Sequence, residues 1–358
     1  MKIGLIIYGR LQTISGGYLY DRQLVAHLEA AGDEVEIISL PWEGYGRSLL
    51  HNTWFALAEQ LRLAEFDLLL QDELNHPSLF WLNQRLCGHI SYPIISIVHH
   101  LRSSEPRPGW QNRFYRQIER RYLASVDGFV FNSQTTRQVV QSLVGDGQPH
   151  VVAFPAGDRF QPEITPPQIE ARAQEPGPLR LLFVGNLIER KGLHVLLEAV
   201  AGLPTADWTL EVVGETAVSP RYTQKIQQQL TQHALRANVT LHGPLSDDDL
   251  AAQMAHSHLL VVPSSYEGFG IVYLEGMGFG LPAIAGRGGA AHEIITDGVT
   301  GFLVDDAATL RHHLASLHHN RTQLSQMSHA AQTRFVAHPT WTESMSQIRN
   351  FLLEQCAV

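Results

Sequence analysis

The chain has 358 residues, a length that usually folds as two domains rather than one. Its 44% hydrophobic and 17% charged residues are typical of a globular protein and exclude a disordered or fibrous chain. The net charge of -9 argues against a nucleic-acid-binding protein, so no nucleic-acid partner is expected.

The amino-terminal run MKIGLIIYGR predicts a first strand, because its apolar stretch is too short for a signal peptide and no cleavage site follows. No segment approaches the roughly 20 apolar residues of a transmembrane helix. The two cysteines, Cys87 and Cys356, lie far apart, which excludes a disulfide framework and suits a reducing compartment. We expect a cytoplasmic protein.

The first half alternates short apolar runs with helix-length segments. A helix is predicted over 18–31, ending at Gly32. The runs predict six strands, at 2–8, 34–40, 66–71, 93–99, 128–132 and 150–154.

The alternation stops and then resumes. Segment 155–178 holds six prolines and predicts an interdomain connection. Six more strands are predicted at 179–184, 209–213, 239–242, 259–262, 283–285 and 302–304. After Leu310 the chain is predicted to be helical, with a break at Pro339.

These patterns predict an α/β fold of two Rossmann-like, doubly wound parallel sheets facing a cleft. The expected domains are residues 1–165 and 166–340. The last segment, 341–358, is predicted to be a helix that packs back on the first domain.

The loops after the strands exclude one function. A nicotinamide-binding domain would carry G-x-G-x-x-G after its first strand, but here the loop is GRLQTISGG. Gly16 and Gly17 open the first helix, where free backbone N–H groups suit an anion. A turn that requires positive φ explains the two glycines equally well.

The second half offers a stronger anion site. In FVGNLIERKGLHVLL, Arg190 and Lys191 are predicted in the first turn of a helix after a buried strand. Cations there oppose the helix dipole unless an anion offsets them, and a diphosphate would do so. The alternative is that both are solvated loop charges.

Two glutamates flank a glycine-rich turn in SSYEGFGIVYLEGMGFG. Glu267 is predicted in a loop, 268–270 in the turn and Glu275 about one turn into a helix over 271–279. Helical side chains lean toward the amino terminus, so both carboxylates are expected to face one pocket. Carboxylate oxygens match the vicinal hydroxyls of a sugar or ribose.

Taken together, these motifs resemble the retaining glycosyltransferases of the GT-B fold, specifically glycosyltransferase family 4. The resemblance rests on the two glutamates eight positions apart with GFG between them, the preceding PSSY, GNLIERKG, VVG at 212–214, GRGGAAHEII at 286–295, the early GG, VHH and PAGDRF. It therefore covers both predicted domains, and it implies that 1–165 binds the acceptor and that 166–340 binds the nucleotide sugar.

The resemblance implies a role for each matching position. Glu275 would accept hydrogen bonds from the ribose hydroxyls of a nucleotide sugar, and Glu267 would meet the transferred sugar. Arg190 and Lys191 would hold the diphosphate. The expected donor site is completed by Gly16, Gly17, Gly185, Gly214, Gly268, Phe269 and Gly270.

His99 matches the family's histidine near the sugar and the bond that breaks, so the expected catalytic residues are His99, Arg190, Lys191 and Glu267. The chain departs from the family at His100, where relatives often carry Asp, and at Ala156, where Asn is usual. The resemblance also implies transfer of a hexosyl group with retention of configuration, without a protein nucleophile, a cofactor or an essential metal.

Other functions remain open at this stage. A nucleotide-sugar epimerase of the same architecture is the nearest different reaction. A glycosidase would use Glu267 and Glu275 as acid and nucleophile, but their loop and helix positions disfavour it. A protein that binds the sugar without turnover is a further alternative.

The acceptor side is less defined. Asp72, Glu73 and His76 end a predicted strand and are assigned, with His100 and Arg102, to a glycan, lipid or small-molecule acceptor. The alternative is that the acids are solvated. The histidines of RHHLASLHH, at 311–319, are predicted on the wet face of an amphipathic helix rather than around a metal.

Segment 102–121 is basic and aromatic. It contains six arginines against Glu105 and Glu119, with Trp110 and Phe114 between them. Such a segment could contact an acidic acceptor or the inner face of an anionic membrane. The favoured alternative places the aromatic side chains in the core and the arginines in water.

Overall fold

The computed structural model describes residues 1–356 and divides the chain into two compact units. Unit 1 joins Met1–Pro155 to the segment that begins at Pro339, and unit 2 is Ala156–His338. The domain boundaries expected from the sequence, at 165/166 and 340/341, lie further along the chain than these divisions.

Unit 1 contains a six-stranded parallel sheet with the order β2-β1-β3-β4-β5-β6. The strands are β1 (Lys2–Tyr8), β2 (Glu34–Leu40), β3 (Leu68–Asp72), β4 (Ile94–Val98), β5 (Gly128–Phe131) and β6 (His150–Val152). The central strands β3 and β4 are buried at every residue, as expected for a parallel sheet covered on both faces. All six predicted strands are confirmed.

Helices cover the sheet of unit 1. They are α1 (Gly16–Ala30), α2 (Tyr45–Ser48), α3 (Phe55–Leu63), α4 (His76–Leu86), α5 (Gly109–Leu123) and α6 (Gln134–Val144). Leu24 and Leu28 of α1 are fully buried, which confirms the helical spacing seen in the sequence.

Unit 2 contains a second six-stranded parallel sheet, with the order β12-β11-β10-β7-β8-β9. Its strands are β7 (Leu179–Val184), β8 (Trp208–Val213), β9 (Val239–Gly243), β10 (Leu259–Val262), β11 (Ala283–Gly286) and β12 (Gly301–Val304). The six predicted strands of this half are also confirmed.

The helices of unit 2 include one that the sequence did not predict. They are α7 (Pro166–Gln174), α8 (Leu193–Val200), α9 (Pro220–Gln232), α10 (Asp247–His256), α11 (Ile271–Gly278), α12 (Ala307–His319) and α13 (Arg321–Val336).

Helix α7 corrects the prediction that 155–178 is only a connection. Two of its prolines occupy the first turn of the helix, where a missing N–H costs nothing. Ile169 is fully buried, and Arg172 donates hydrogen bonds to the carbonyls of Ala255 (3.0 Å) and Phe279 (2.7 Å). The prolines therefore start a helix that is part of unit 2.

The last helix, α14 (Trp341–Cys356), groups with unit 1. Arg349 Nε lies 2.7 Å from Asp33 Oδ2, and the Trp341 ring stands edge-on to Tyr20 at 5.9 Å. Within residues 1–356, no helix combines the length and apolar character needed to cross a bilayer.

Each sheet has one point at which the strand order reverses: from there, successive strands of the chain are added on the opposite side of the sheet. This point lies between β1 and β3 in unit 1, and between β7 and β10 in unit 2. In open α/β sheets the crevice at the carboxyl ends of such strands is where ligands bind. The loops after these four strands are therefore where each unit would place its chemistry.

Candidate functional site

In unit 2, the loops after β7 and β8 approach each other through glycines. A Cβ on Gly214 would lie 2.0 Å from the carbonyl oxygen of Gly185, so no larger residue fits there without a backbone shift. A Cβ on Gly185 would in turn lie 3.3 Å from Lys191 Cδ. The predicted donor residues Gly185, Lys191 and Gly214 are thus brought together.

Arg190 and Lys191 are not in the first turn of α8, as the sequence had suggested. They belong to a short 3-10 turn, Glu189–Lys191, and Gly192 follows it at φ +74° before the helix begins. A Cβ on Gly192 would lie 2.2 Å from the carbonyl oxygen of Pro263, which requires glycine here. The turn is therefore held against the loop after β10.

This packing sets both cations against Glu267. Lys191 Nζ lies 2.6 Å from Glu267 Oε1, and Arg190 Nη1 lies 3.4 Å from Oε2. Ser264 also donates a hydrogen bond to Oε1 (2.6 Å), and Arg190 donates to the carbonyl of Tyr266 (2.7 Å). The charge of the two cations is offset here by a carboxylate of the protein, a partner that sequence reasoning missed.

Burial and charge act in opposite directions at this cluster. Burial alone would raise the pKa of Glu267, but Lys191, Arg190 and Ser264 bring it down to about 2. Burial lowers the pKa of Lys191, and Glu267 opposes that effect. Glu267 is therefore ionised throughout the neutral range.

The loop from Glu267 to Gly270 leads into α11. Glu267 pairs with Gly289 in an isolated bridge, and a Cβ on Gly289 would lie 2.0 Å from the Glu267 carbonyl oxygen. Phe269 is buried, and Gly270 caps α11 with φ +97°. The GRGG segment after β11 thus fixes the course of this loop, which bends at Gly268, where a turn over 268–270 was predicted.

Glu275 lies in α11 with partners of its own. Arg159 Nε lies 2.5 Å from Glu275 Oε1, and the same guanidinium reaches Asp247 Oδ1 at 2.7 Å. The two glutamates were expected to share one pocket mouth, but each carboxylate is held by a different cation. Arg159 and Asp247 were not singled out from the sequence, because PAGDRF showed only a motif variation.

In unit 1, His99 follows β4 and contacts α1. Its Nε2 lies 3.1 Å from Asp21 Oδ1, while its carbonyl accepts a hydrogen bond from Asn132 (2.8 Å). A Cβ on Gly17 would lie 3.2 Å from His99 Cδ2, so the second glycine of the GG pair gives the imidazole its room. Gly16 begins α1 and Ser15 caps it, which confirms the predicted helix start.

His99 is surrounded by acids. Burial by itself lowers its pKa, but Asp21, Asp72 and Glu73 together raise it to about 9. The pKa of Asp72 rises to about 7, chiefly through burial and the neighbouring Asp21. His99 is therefore a cation at neutral pH, suited to donating a hydrogen bond rather than to acting as a base.

Asp72 and Glu73 are each 1% exposed, so the alternative that they are solvated is wrong. Burial raises the pKa of Glu73 to about 8. Glu73 lies with His76 and Glu119 in a group whose ligand atoms are within 4.8 Å of one another. The acids therefore form an enclosed cluster after β3.

The two other residues assigned to the acceptor lie close to this cluster. His100 Nε2 is 3.0 Å from Glu105 Oε1. The Arg102 guanidinium packs over the rings of Tyr45 (5.3 Å) and Tyr115 (4.9 Å). Arg102 also lowers the pKa of both Glu73 and His76.

Two groups in unit 1 have the residue types to hold a metal ion. One is Asp21, Asp72 and His99, and the other is Glu73, His76 and Glu119. In the second group both ring nitrogens of His76 already have hydrogen-bond partners, since Nδ1 faces the Glu73 carbonyl (3.0 Å) and Nε2 faces Tyr45 Oη (3.1 Å). The histidines of α12 contribute to neither group among residues 1–356.

The basic segment differs from its favoured interpretation. Trp110 is 71% and Phe114 45% exposed, whereas Ile118 and Tyr122 form the buried side of α5. The aromatic side chains are therefore on the surface together with the arginines. The exposed basic residues of the helix are Arg113, Arg116, Arg120 and Arg121.

The sequences of both units match known families. A model described as Glycosyltransferase Family 4 matches residues 19–157, and one described as Glycosyl transferases group 1 matches residues 166–334. One similar structure is sucrose-phosphate synthase from Thermosynechococcus elongatus, with a TM-score of 0.83 at 20% identity over 99% of both chains. Another is Anabaena HepE in complex with UDP and glucose, with a TM-score of 0.76 at 20% identity over 99% of this chain and 100% of that one. These likenesses define the GT-B fold.

Among sequence relatives, an uncharacterized glycosyltransferase of Methanocaldococcus jannaschii is 35% identical over 124 residues, 35% of this chain and 33% of that protein. The D-rhamnosyltransferase WbpZ of Pseudomonas aeruginosa is 28% identical over 277 residues, 69% of this chain and 67% of that protein. The match to the first of these spans about a third of that relative's length. Because the two family models together cover most of the sequence, the chain belongs to the group 1 and family 4 glycosyltransferases.

Proposed function

We propose that the protein transfers a hexosyl group from a nucleotide diphosphate sugar to an acceptor hydroxyl, with retention of configuration. The observation that carries this proposal is the pairing of Arg190 and Lys191 with Glu267 at the carboxyl ends of β7 and β10. The P. aeruginosa relative is named as a sugar transferase, and the HepE structure holds UDP and glucose.

The two cations would stabilise the leaving group. Breaking the sugar–phosphate bond builds negative charge on the departing diphosphate and positive character on the anomeric carbon. Cations fixed by the protein before the reaction stabilise such charge without reorganising, which is usually the largest catalytic contribution. Glu267 keeps Lys191 and Arg190 in place and would itself face the sugar.

His99 would act as a hydrogen-bond donor. Its raised pKa, about 9, keeps the imidazole protonated at neutral pH. A protonated imidazole donates from both nitrogens, so it could hold a sugar or phosphate oxygen but could not accept the acceptor's proton. A leaving-group oxygen would take that proton in a front-face reaction.

Retention without a protein nucleophile fits the contacts of Glu267. Its carboxylate is engaged by Lys191, Arg190 and Ser264 and has a pKa of about 2. A carboxylate so strongly stabilised is a poor nucleophile. We propose that no metal is essential, since Arg190 and Lys191 supply the charge that a metal ion would otherwise bring to the diphosphate.

The acceptor would be a glycan, lipid or small molecule, bound by unit 1. We propose in addition that α5 contacts an anionic membrane surface, on its cytoplasmic face. Exposed Trp110 and Phe114 beside exposed arginines are the composition of an interfacial helix.

The proposal is tested with purified protein and a panel of UDP-, GDP- and ADP-sugars. Binding is measured by thermal shift, since a ligand at a hundredfold its Kd adds about 2.7 kcal/mol of stability. The sugar that binds is then offered with candidate acceptors, and the product's anomeric configuration is read by NMR. Retained transfer that survives chelation supports the proposal, whereas an inverted product or an epimerised donor would refute it.

A further inference from the structure

The segment that opens unit 2 places one arginine between two acids. Arg159 Nε lies 2.5 Å from Glu275 Oε1, and its Nη1 lies 2.7 Å from Asp247 Oδ1. Glu275 is 4% exposed, while Asp247 is exposed at the start of α10. The guanidinium thus contacts the exposed Asp247 through Nη1 and the buried Glu275 through Nε.

The backbone on both sides of this contact has little freedom. A Cβ on Gly157 would lie 2.7 Å from the backbone carbon of Leu274 and 2.9 Å from the backbone nitrogen of Glu275. The segment before Arg159 is therefore pressed directly against α11. This close approach fixes the distance from which Arg159 reaches the carboxylate.

We infer that Arg159 is a positioning residue for Glu275, holding that carboxylate ionised and oriented to accept hydrogen bonds from the ribose hydroxyls of the donor. This inference rests on the proposed function, which gives Glu275 its ligand. Asp247 acts one step further out, by fixing the guanidinium.

The physical need for such a residue follows from burial. Burial raises the pKa of Glu275, and Arg159 is the cation that opposes this rise. Among residues 1–356, Arg159 is the one charge-bearing partner bonded to the Glu275 carboxylate. Without it the carboxyl would take up a proton more readily and would become a weaker acceptor for hydroxyl groups.

A second charged group, Asp247, acts on this contact. Asp247 further raises the pKa of Glu275, and it raises that of Arg159. Neither Lys191 nor Arg190 is bonded to Glu275, because both contact Glu267. The effect of pH on Glu275 therefore depends on Arg159 and Asp247.

The test compares R159Q, R159K, E275Q and the unchanged protein. Isothermal titration first identifies which of UDP, GDP and ADP binds the unchanged protein, and that nucleotide is used throughout. R180Q is the matched control, because Arg180 is also an arginine of unit 2 and pairs with Glu175, away from Glu275. Thermal unfolding of every variant verifies that it is folded.

For R159Q we expect affinity at neutral pH to fall about tenfold or more, as for loss of a hydrogen bond to a charged group. Relative to the unchanged protein, that loss should shrink as pH rises, because Glu275 regains its charge. R159K should restore much of the affinity. E275Q should lose affinity without recovery at high pH, and R180Q should bind normally.

Two results would overturn the inference while leaving the proposed function intact. One is R159Q binding the nucleotide as tightly as the unchanged protein at every pH. The other is a loss that is the same at every pH and is not restored in R159K, which would indicate a role in folding only. If the unchanged protein binds none of the three nucleotides, the proposed function itself fails and the inference fails with it.

Discussion

Lys191 Nζ and Glu267 Oε1 lie 2.6 Å apart, and both side chains are largely buried. The two residues come from loops after β7 and β10, the strands that flank the reversal point of the second sheet. A buried ion pair adds little net stability, because desolvation offsets the attraction. The position of this pair is therefore better explained by binding of an anionic ligand than by folding.

The first prediction concerns Lys191. Removing a preorganised charge-stabilising group typically costs about 3 to 4 kcal/mol of barrier, so K191Q should lower turnover about 100-fold or more. The measurement is the rate of nucleoside diphosphate release with donor and acceptor present. K225Q is the matched control, since Lys225 is exposed and pairs with exposed Glu189.

K191Q also leaves Glu267 without its nearest cation, which should lower the Tm because a buried charge loses its partner. K191Q with normal turnover would show that Lys191 does not serve the reaction.

The second prediction concerns His99. H99A should leave nucleotide-sugar affinity largely intact and depress turnover, because His99 lies in unit 1 while the diphosphate would be held in unit 2. Affinity is measured by titration and turnover by product formation. H150A, in β6 of the same unit, is the control.

The pH dependence of turnover provides an independent readout of the same residue. His99 loses its proton near its raised pKa of about 9, so turnover of the unchanged protein should fall above that pH. Asp21 opposes the lowering of the His99 pKa by burial, so this pKa should be lower without Asp21. D21N should therefore shift the fall to lower pH, and an unshifted profile would contradict the role of the Asp21–His99 pair.

The third prediction concerns the stability of unit 1. The pKa of Glu73 is raised from its usual 4.5 to about 8 in the folded protein. The folded state thus binds this proton more tightly than the unfolded state, so the resulting stability is present below about pH 4.5 and is lost as pH rises through 8.

E73Q removes this dependence because an amide stays neutral. Relative to the unchanged protein, E73Q should unfold at a higher temperature at pH values above the raised pKa, and the difference should shrink in acid. Thermal unfolding across that pH range is the measurement, with the exposed E59Q of α3 as control. An equal Tm at all pH values would show that Glu73 does not titrate as described.

The fourth prediction concerns α5. The chain should bind vesicles that contain an anionic lipid, and binding should weaken as salt is added. The double variant W110S/F114S should lose much of this binding, since it removes the apolar contact and keeps the charge. Equal binding to neutral vesicles, or no binding to anionic ones, would contradict membrane contact through this helix.

Much of the fold was predictable from the sequence because the apolar runs are short, continuous and bounded by loops. All twelve strands lie where those runs predicted them, including β1 and β10, whose residues are almost entirely buried. The start of α11 was also predictable, because Gly270 precedes the helix at a positive φ that favours glycine. Both features could be predicted because each depends on residues that are close together in the sequence.

The features that sequence reasoning missed depend on contacts between distant segments. The bond from Arg159 to Glu275 spans 116 positions, and the pair Lys191–Glu267 spans 76. Composition likewise misled at α7, where prolines suggested a linker, and at α5, where aromatic residues suggested a core face. Burial of Asp72 and Glu73 had no local signal, because acids at a strand end are more often solvated.

The central claim is that Lys191 and Glu275 hold an activated sugar, and a crystal structure with the bound nucleotide sugar tests it most directly. We predict that the diphosphate contacts Lys191 and Arg190, and that the ribose hydroxyls donate to the carboxylate of Glu275. A donor bound elsewhere in the protein, with the carboxylates of Glu267 and Glu275 contacting only their present partners, would contradict the account.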